Sequence, residues 1–205
     1  MSRPFIQAVR PLPRDPGRVT VVVDGASMGA LRRDLAERLG VREGERWTVK
    51  LERAVTEAVA EDGCRADALS RLGRRDMTAA LLVERLSVKW DPALAERVVQ
   101  ALTREGWLDD RAYARRRAEL LQRRAPMAHD ALQERLEAEG VATRTARAAA
   151  REGCAQDRME AQVAAWKARG RDAASVARAL GRQGFDSDTI LQALRKAGFP
   201  CDHFD

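Results

Sequence analysis

From about residue 66 onward, apolar positions recur at helical spacing in runs broken by Gly, Pro or Asp, and strand signals vanish. The pattern predicts helix throughout this part, and it repeats. Positions four, five, eight and nine beyond Trp90 are Leu94, Ala95, Val98 and Val99. The same offsets from Val141 give Thr145, Ala146, Ala149 and Ala150, and from Phe185 they give Thr189, Ile190, Ala193 and Leu194. Each set draws one face of a helix. Another amphipathic helix, ending in Leu86, Leu136 or Leu180, precedes each anchor. Two of the junctions are Gly140-Val141 and Gly184-Phe185; the third, Lys89-Trp90, lacks the glycine and is one residue shorter. With one more helix upstream of each pair, the layout is three units of about 40 to 50 residues and three helices apiece, a period typical of helical arrays. Such units stack end to end, which predicts an elongated, curved object.

The first quarter follows another rhythm. Phe5 to Val9 and Val19 to Val23 are β-branched runs separated by Pro13-Arg14-Asp15-Pro16-Gly17, the pattern of a β-hairpin. Asp24-Gly25 offers a turn, and Ala26 to Gly29 a further short strand. Leu31 to Leu39 reads as a helix closed by Gly40, and Trp47-Thr48-Val49 as one more strand. The expected fold class is mainly α: three tandem three-helix units behind an N-terminal extension containing a β-hairpin. The expected boundaries are 1–62 for the extension and 63–108, 109–154 and 155–205 for the units.

Composition narrows the function. The 205 residues are 45% hydrophobic but only 4% aromatic, so the core is expected to form from closely approaching helices with small side chains. The net charge of +6 favours polyanions or acidic protein patches as partners. Cys64, Cys154 and Cys201 are odd in number and never spaced as C-x-x-C, which suggests neither a disulfide framework nor a zinc site. No signal-peptide h-region or membrane-length apolar run is visible, so a cytoplasmic protein with no membrane contact is expected. P-loop, dinucleotide-binding, nucleophile-elbow and zinc-ligand patterns are lacking, so neither enzyme activity nor a cofactor is expected.

The stretch Gly106-Trp107-Leu108-Asp109-Asp110-Arg111-Ala112-Tyr113-Ala114 resembles the central motif of the RecX family. Arg123-Arg124-Ala125-Pro126 followed by Glu139-Gly140-Val141, and Gly184-Phe185-Asp186 followed by Ile190 to Leu194, are similar to the family's second and third units. The resemblance spans about residues 66 to 199; the amino-terminal module occurs in only some members. It implies a regulator that binds RecA nucleoprotein filaments on single-stranded DNA and restrains strand exchange, ATP hydrolysis and co-protease activity. It also implies possible direct contact with single- or double-stranded DNA. A monomer is expected. The alternative is a direct DNA-binding protein of helix-turn-helix type.

Arg111, Arg115, Arg116, Arg123 and Arg124 make the segment after Asp109 densely basic, and with Arg178 and Arg182 they are the candidate contacts to filament or DNA. Tyr113, Leu120 and Leu121 mark the expected buried face of that helix. Arg117 is expected to pack its stem and pair with Asp109 or Asp110, and Arg115 with Glu119 to form a surface pair. Trp90, Trp107, Tyr113, Trp166 and Phe185 read as core plugs rather than base-stacking platforms. His129 reads as a helix-surface residue, and the Cys201-Asp202-His203 tail as incidental.

Overall fold

The computed structural model describes residues 4–152 and 155–200. Three antiparallel strands, β1 (Ile6–Leu12), β2 (Asp15–Val23) and β3 (Ala26–Arg32), form a sheet in the order β1-β2-β3. Asp24 and Gly25 both have positive φ, 48° and 79°, as a two-residue turn between β2 and β3 requires. Alternation along β2 sends Val19, Val21 and Val23 into a core with Ile6, Leu31, Ala36, Val41, Trp47, Val55 and Ala58. The short helix α1 (Arg33–Arg38) and the 24-residue α2 (Val49–Leu72) supply the other wall of that core.

The expected strand at Trp47-Thr48-Val49 is not formed. Arg46 makes an isolated bridge to Phe5, and the Trp47 N–H donates to the Pro4 carbonyl at 2.8 Å. Extended pairing stops there because the Thr48 hydroxyl accepts from the Leu51 N–H at 3.2 Å, which caps α2. Val49 is therefore the first residue of a helix.

Eight more helices follow in the described residues: α3 (Ala79–Ser87), α4 (Pro92–Arg104), α5 (Asp110–Arg124), α6 (His129–Ala138), α7 (Thr143–Glu152), α8 (Ala155–Ala168), α9 (Ala173–Arg182) and α10 (Ser187–Lys196). The fold is thus mainly helical with an N-terminal antiparallel sheet, as the sequence pattern predicts. Side-chain caps fix several starts: Asp91, Asp109, Asp172 and Asp186 each accept from the backbone N–H three residues on. The repeated offsets are realised as burial. Leu94, Ala95, Val98 and Val99, then Ala146, Ala149 and Ala150, then Ile190, Ala193 and Leu194 are all buried, while Thr145 and Thr189 are half-buried.

The chain divides into two compact units, Met1–Asp76 with Leu82–Glu105, and Met77–Leu81 with Gly106–Asp205. In the first, the edge of Trp90 lies over Gly63, where a Cβ would sit 2.7 Å from the ring. The indole N–H of Trp90 donates to Asp67, which also holds Arg71 at 2.9 Å. Arg18 pairs with Asp62 at 2.6 Å and joins sheet to helix.

In the second unit, α5, α6 and α7 enclose one core of Ala114, Ala118, Leu132, Leu136, Val141, Ala146, Ala149 and Ala150. Helices α8, α9 and α10 enclose another, around Met159, Val163, Val176, Leu180, Ile190, Leu194 and Phe199. Both α6 and α9 end on a glycine with positive φ, Gly140 at 86° and Gly184 at 84°. The residue after each glycine donates back to the buried leucine, Val141 to Leu136 at 3.1 Å and Phe185 to Leu180 at 3.3 Å, which closes a Schellman end.

These glycines have a second task. The Thr78 hydroxyl at the head of α3 donates to the Glu139 carbonyl at 3.0 Å, and the Ala128 N–H at the head of α6 donates to the Gln183 carbonyl at 2.9 Å. A Cβ on Gly140 would stand 2.7 Å from Thr78 Oγ1, and one on Gly184 would stand 2.5 Å from the Ala131 Cβ. Glycine alone permits both the left-handed backbone and the approach.

Gly140→Ala and Gly184→Ala are each expected to lower the free energy of urea unfolding by about 2 to 5 kcal/mol, from backbone strain plus displacement of the facing group. Gly170→Ala carries the same kind of φ, 74°, in open space, and should lose only the strain, about 1 to 2 kcal/mol. Equal losses at all three positions would show that the approach contributes nothing.

Candidate functional site

The central motif at residues 106–114 is largely occupied with holding the second unit together. Leu108 is buried; Asp109 caps α5 at Ala112; and Asp110 accepts from the Ala79 N–H at 2.9 Å. Tyr113 donates through its hydroxyl to Glu139 Oε2 at 3.0 Å. Arg117 takes the same carboxylate in a fork, Nε to Oε2 at 2.7 Å and Nη2 to Oε1 at 2.6 Å, with Arg135 adding a looser contact at 3.6 Å. Arg117 therefore packs its stem and pairs as expected, but with Glu139 rather than Asp109 or Asp110. The Arg117 hydrogen bonds, helped by Tyr113 and nearby charge and opposed by burial, hold the Glu139 carboxyl below the usual carboxylate range.

Trp107 departs from expectation. It is 59% exposed, so it is not a core plug. Trp90, Tyr113, Trp166 and Phe185 are half-buried and engaged with their neighbours, Trp166 stacking under Arg171 at 4.6 Å. The buried face of α5 is also not the expected one. Leu120 is 42% exposed, and the inward stripe is Ala114, Ala118 and Gln122, with Tyr113 and Leu121 at its edges. Gln122 is satisfied by a two-way exchange with the backbone of Met127, at 2.9 and 3.0 Å, which fixes the bend at Ala125-Pro126.

All seven candidate arginines, Arg111, Arg115, Arg116, Arg123, Arg124, Arg178 and Arg182, are exposed. Arg123 is committed to Glu119 at 2.5 Å, so Glu119 pairs forward along α5 rather than back to Arg115. Arg116 is engaged as well. Among the described residues, Arg111, Arg115, Arg124, Arg178 and Arg182 have no ion pair. The structure brings Arg111 and Arg115 together with Arg144 of α7 along a groove of about 340 Å³. A second groove on α7, about 430 Å³, holds Arg147 and Arg151 opposite Asp130 and Glu134, with His129 on its rim. Arg144, Arg147 and Arg151 escape a reading keyed to dense arginine runs. Their three- and four-residue spacing, opposite the buried alanines of α7, was the signal.

Among the described residues no group of His, Cys, Asp and Glu is placed to hold a metal ion, and no helix is long and apolar enough to cross a membrane. Cys64 is buried, and burial first, then Asp67 and Glu61, push its thiol up to about 11, which keeps it protonated and inert at neutral pH. Cys154 and the Cys201-Asp202-His203 tail lie outside the described residues.

Arg117→Met should destabilise the protein by about 1 to 3 kcal/mol at pH 7, less than for a fully buried pair because roughly a fifth of each side chain meets water. The sign of the pH dependence follows from the lowered carboxyl. Glu139 adds stability above its unfolded pKa of about 4.3, and that stability is lost as pH falls through the lower folded value. The gap between wild type and variant in urea melts should therefore be full at pH 7 and shrink below about pH 4. Within the motif, Trp107→Ala should change unfolding by no more than about 0.5 kcal/mol, whereas Leu108→Ala should cost about 2 to 5 kcal/mol. A large loss at Trp107 would contradict its exposure.

No protein-family model matches the chain, and no curated protein sequence matches it. Solved structures do match. The crystal structure of a regulatory protein RecX superposes with a TM-score of 0.76 at 16% identity, covering 94% of this chain and 99% of that one. The crystal structure of RecX from Lactobacillus salivarius superposes with a TM-score of 0.59 at 14% identity, covering 67% of this chain and 96% of that one. The fold of this chain is that of these RecX structures.

Proposed function

We propose that this chain is a non-enzymatic regulator that binds RecA filaments on single-stranded DNA and restrains strand exchange, ATP hydrolysis and co-protease activity. The observation that carries the reading is the extent of the likeness: 94% of the chain, sheet and helices alike, follows one RecX structure. Its site of action is the cytoplasm, where the filament forms, and it works as a monomer without a cofactor. The exposed arginines of α5, α7 and α9 support a contact with an anionic partner.

One observation favours a second reading, a direct DNA binder of helix-turn-helix type. Arg111, Arg115, Arg178 and Arg182 carry no ion pair among the described residues, which suits phosphates as well as carboxylates. The two readings part on salt and stoichiometry. A protein held mainly by phosphates binds DNA without RecA and loses affinity steeply with salt as counterions are released.

The test is the ATPase rate of RecA on single-stranded DNA with this protein titrated from far below one molecule per RecA, beside an unrelated basic protein. The expected result is suppression at low ratio that the control does not reproduce. No effect, or an effect matched by the control, would overturn the filament reading and bring direct DNA binding to the front.

A further inference from the structure

The groove between α5 and α7 has a composition that selects among anionic partners. Arg111, Arg115 and Arg144 line it with no ion pair among the described residues, so their charge is available. Between the charges its lining is small, Thr145, Ala148 and Ala149. The Glu152 carboxylate stands in the same groove. The neighbouring groove on the other flank of α7 sets two arginines against two carboxylates and carries no such bias.

A nucleic-acid strand fits this lining poorly. Its phosphates repeat one charge at short intervals and would have to pass Glu152, and no aromatic side chain lines the groove to stack a base. A protein segment fits every part. Carboxylates match the arginine forks, small apolar side chains rest on the alanines, and a basic or hydrogen-bond-donating residue meets Glu152.

We propose that the α5/α7 groove, through Arg111, Arg115, Arg144 and Glu152, docks an acidic protein segment bearing a donor at one end. It is the place where this chain grips the protein of the filament rather than its DNA. The inference rests on the filament reading above.

The test measures binding of the full-length chain to RecA filaments on single-stranded DNA, and separately to the same oligonucleotide without RecA. Arg115→Ala combined with Arg144→Ala should weaken filament binding by about tenfold or more, with a smaller change for the bare strand. Glu152→Lys gives the sharper sign: it should weaken filament binding while leaving or raising affinity for the bare strand. These side chains are exposed, so unfolding midpoints should match the wild type. Stronger binding of Glu152→Lys to both targets would assign the groove to nucleic acid and overturn the proposal. Unchanged filament binding by both variants, with the wild type binding well, would overturn the groove alone. Failure of the wild type to bind filaments would overturn the underlying reading.

Discussion

The second unit depends on how α6 and α9 end. A helix terminus leaves carbonyls without intrahelical partners, and in each of these two the left-handed glycine turns the chain so that its own backbone takes part of the set. The C-cap carbonyl is answered from elsewhere, by Thr78 at the head of α3 or by the Ala128 N–H at the head of α6. One terminal defect thus becomes a joint between elements separated by 61 residues in the first case. The polar cluster of Tyr113, Arg117 and Arg135 gathers on the carboxylate of Glu139, the residue whose carbonyl makes that joint. Backbone and side chain of Glu139 therefore bind three different elements.

Much of this was legible in the sequence because it is local. Alternating valines gave the sheet, Asp24-Gly25 gave its turn, and the offsets from Trp90, Val141 and Phe185 are the buried faces of α4, α7 and α10. What was not legible has two physical causes. In α5 the buried stripe is alanine and glutamine, and a reading that gives weight to large side chains turns the helix toward Tyr113 and Leu120 instead. Alanine buries little area per residue but lets helices approach, so its contribution shows only once the neighbouring helix is in place. The second cause is tertiary: Glu139 lies 22 residues beyond Arg117, where no local spacing points to it.

The candidate surface divides along the same line. That the helix after Asp109 would present arginines to solvent followed from its composition. Which of them remain available did not, because Arg123 is taken by Glu119 and Arg117 by Glu139. The contribution of α7 was hidden by the dilution of its arginines among alanines, although Arg144, Arg147 and Arg151 all face outward. Trp107 shows the converse. A tryptophan in an aromatic-poor chain invites assignment to the core, yet it lies exposed beside Leu108, Asp109, Asp110 and Tyr113, the motif residues that have structural duties.

The missing glycine at the end of α3 acquires a meaning from these joints. There the chain runs through Lys89 to Trp90 without a left-handed residue, and Trp90 closes directly on the Leu86 carbonyl at 2.9 Å. A helix end of that kind has a side chain where Gly140 and Gly184 have none, so it cannot receive another helix head in the same way. The series consequently has a direction and a built-in stop. Duplication of a helix triplet during evolution could lengthen it after α9, but a copy placed ahead of α3 would find no seat.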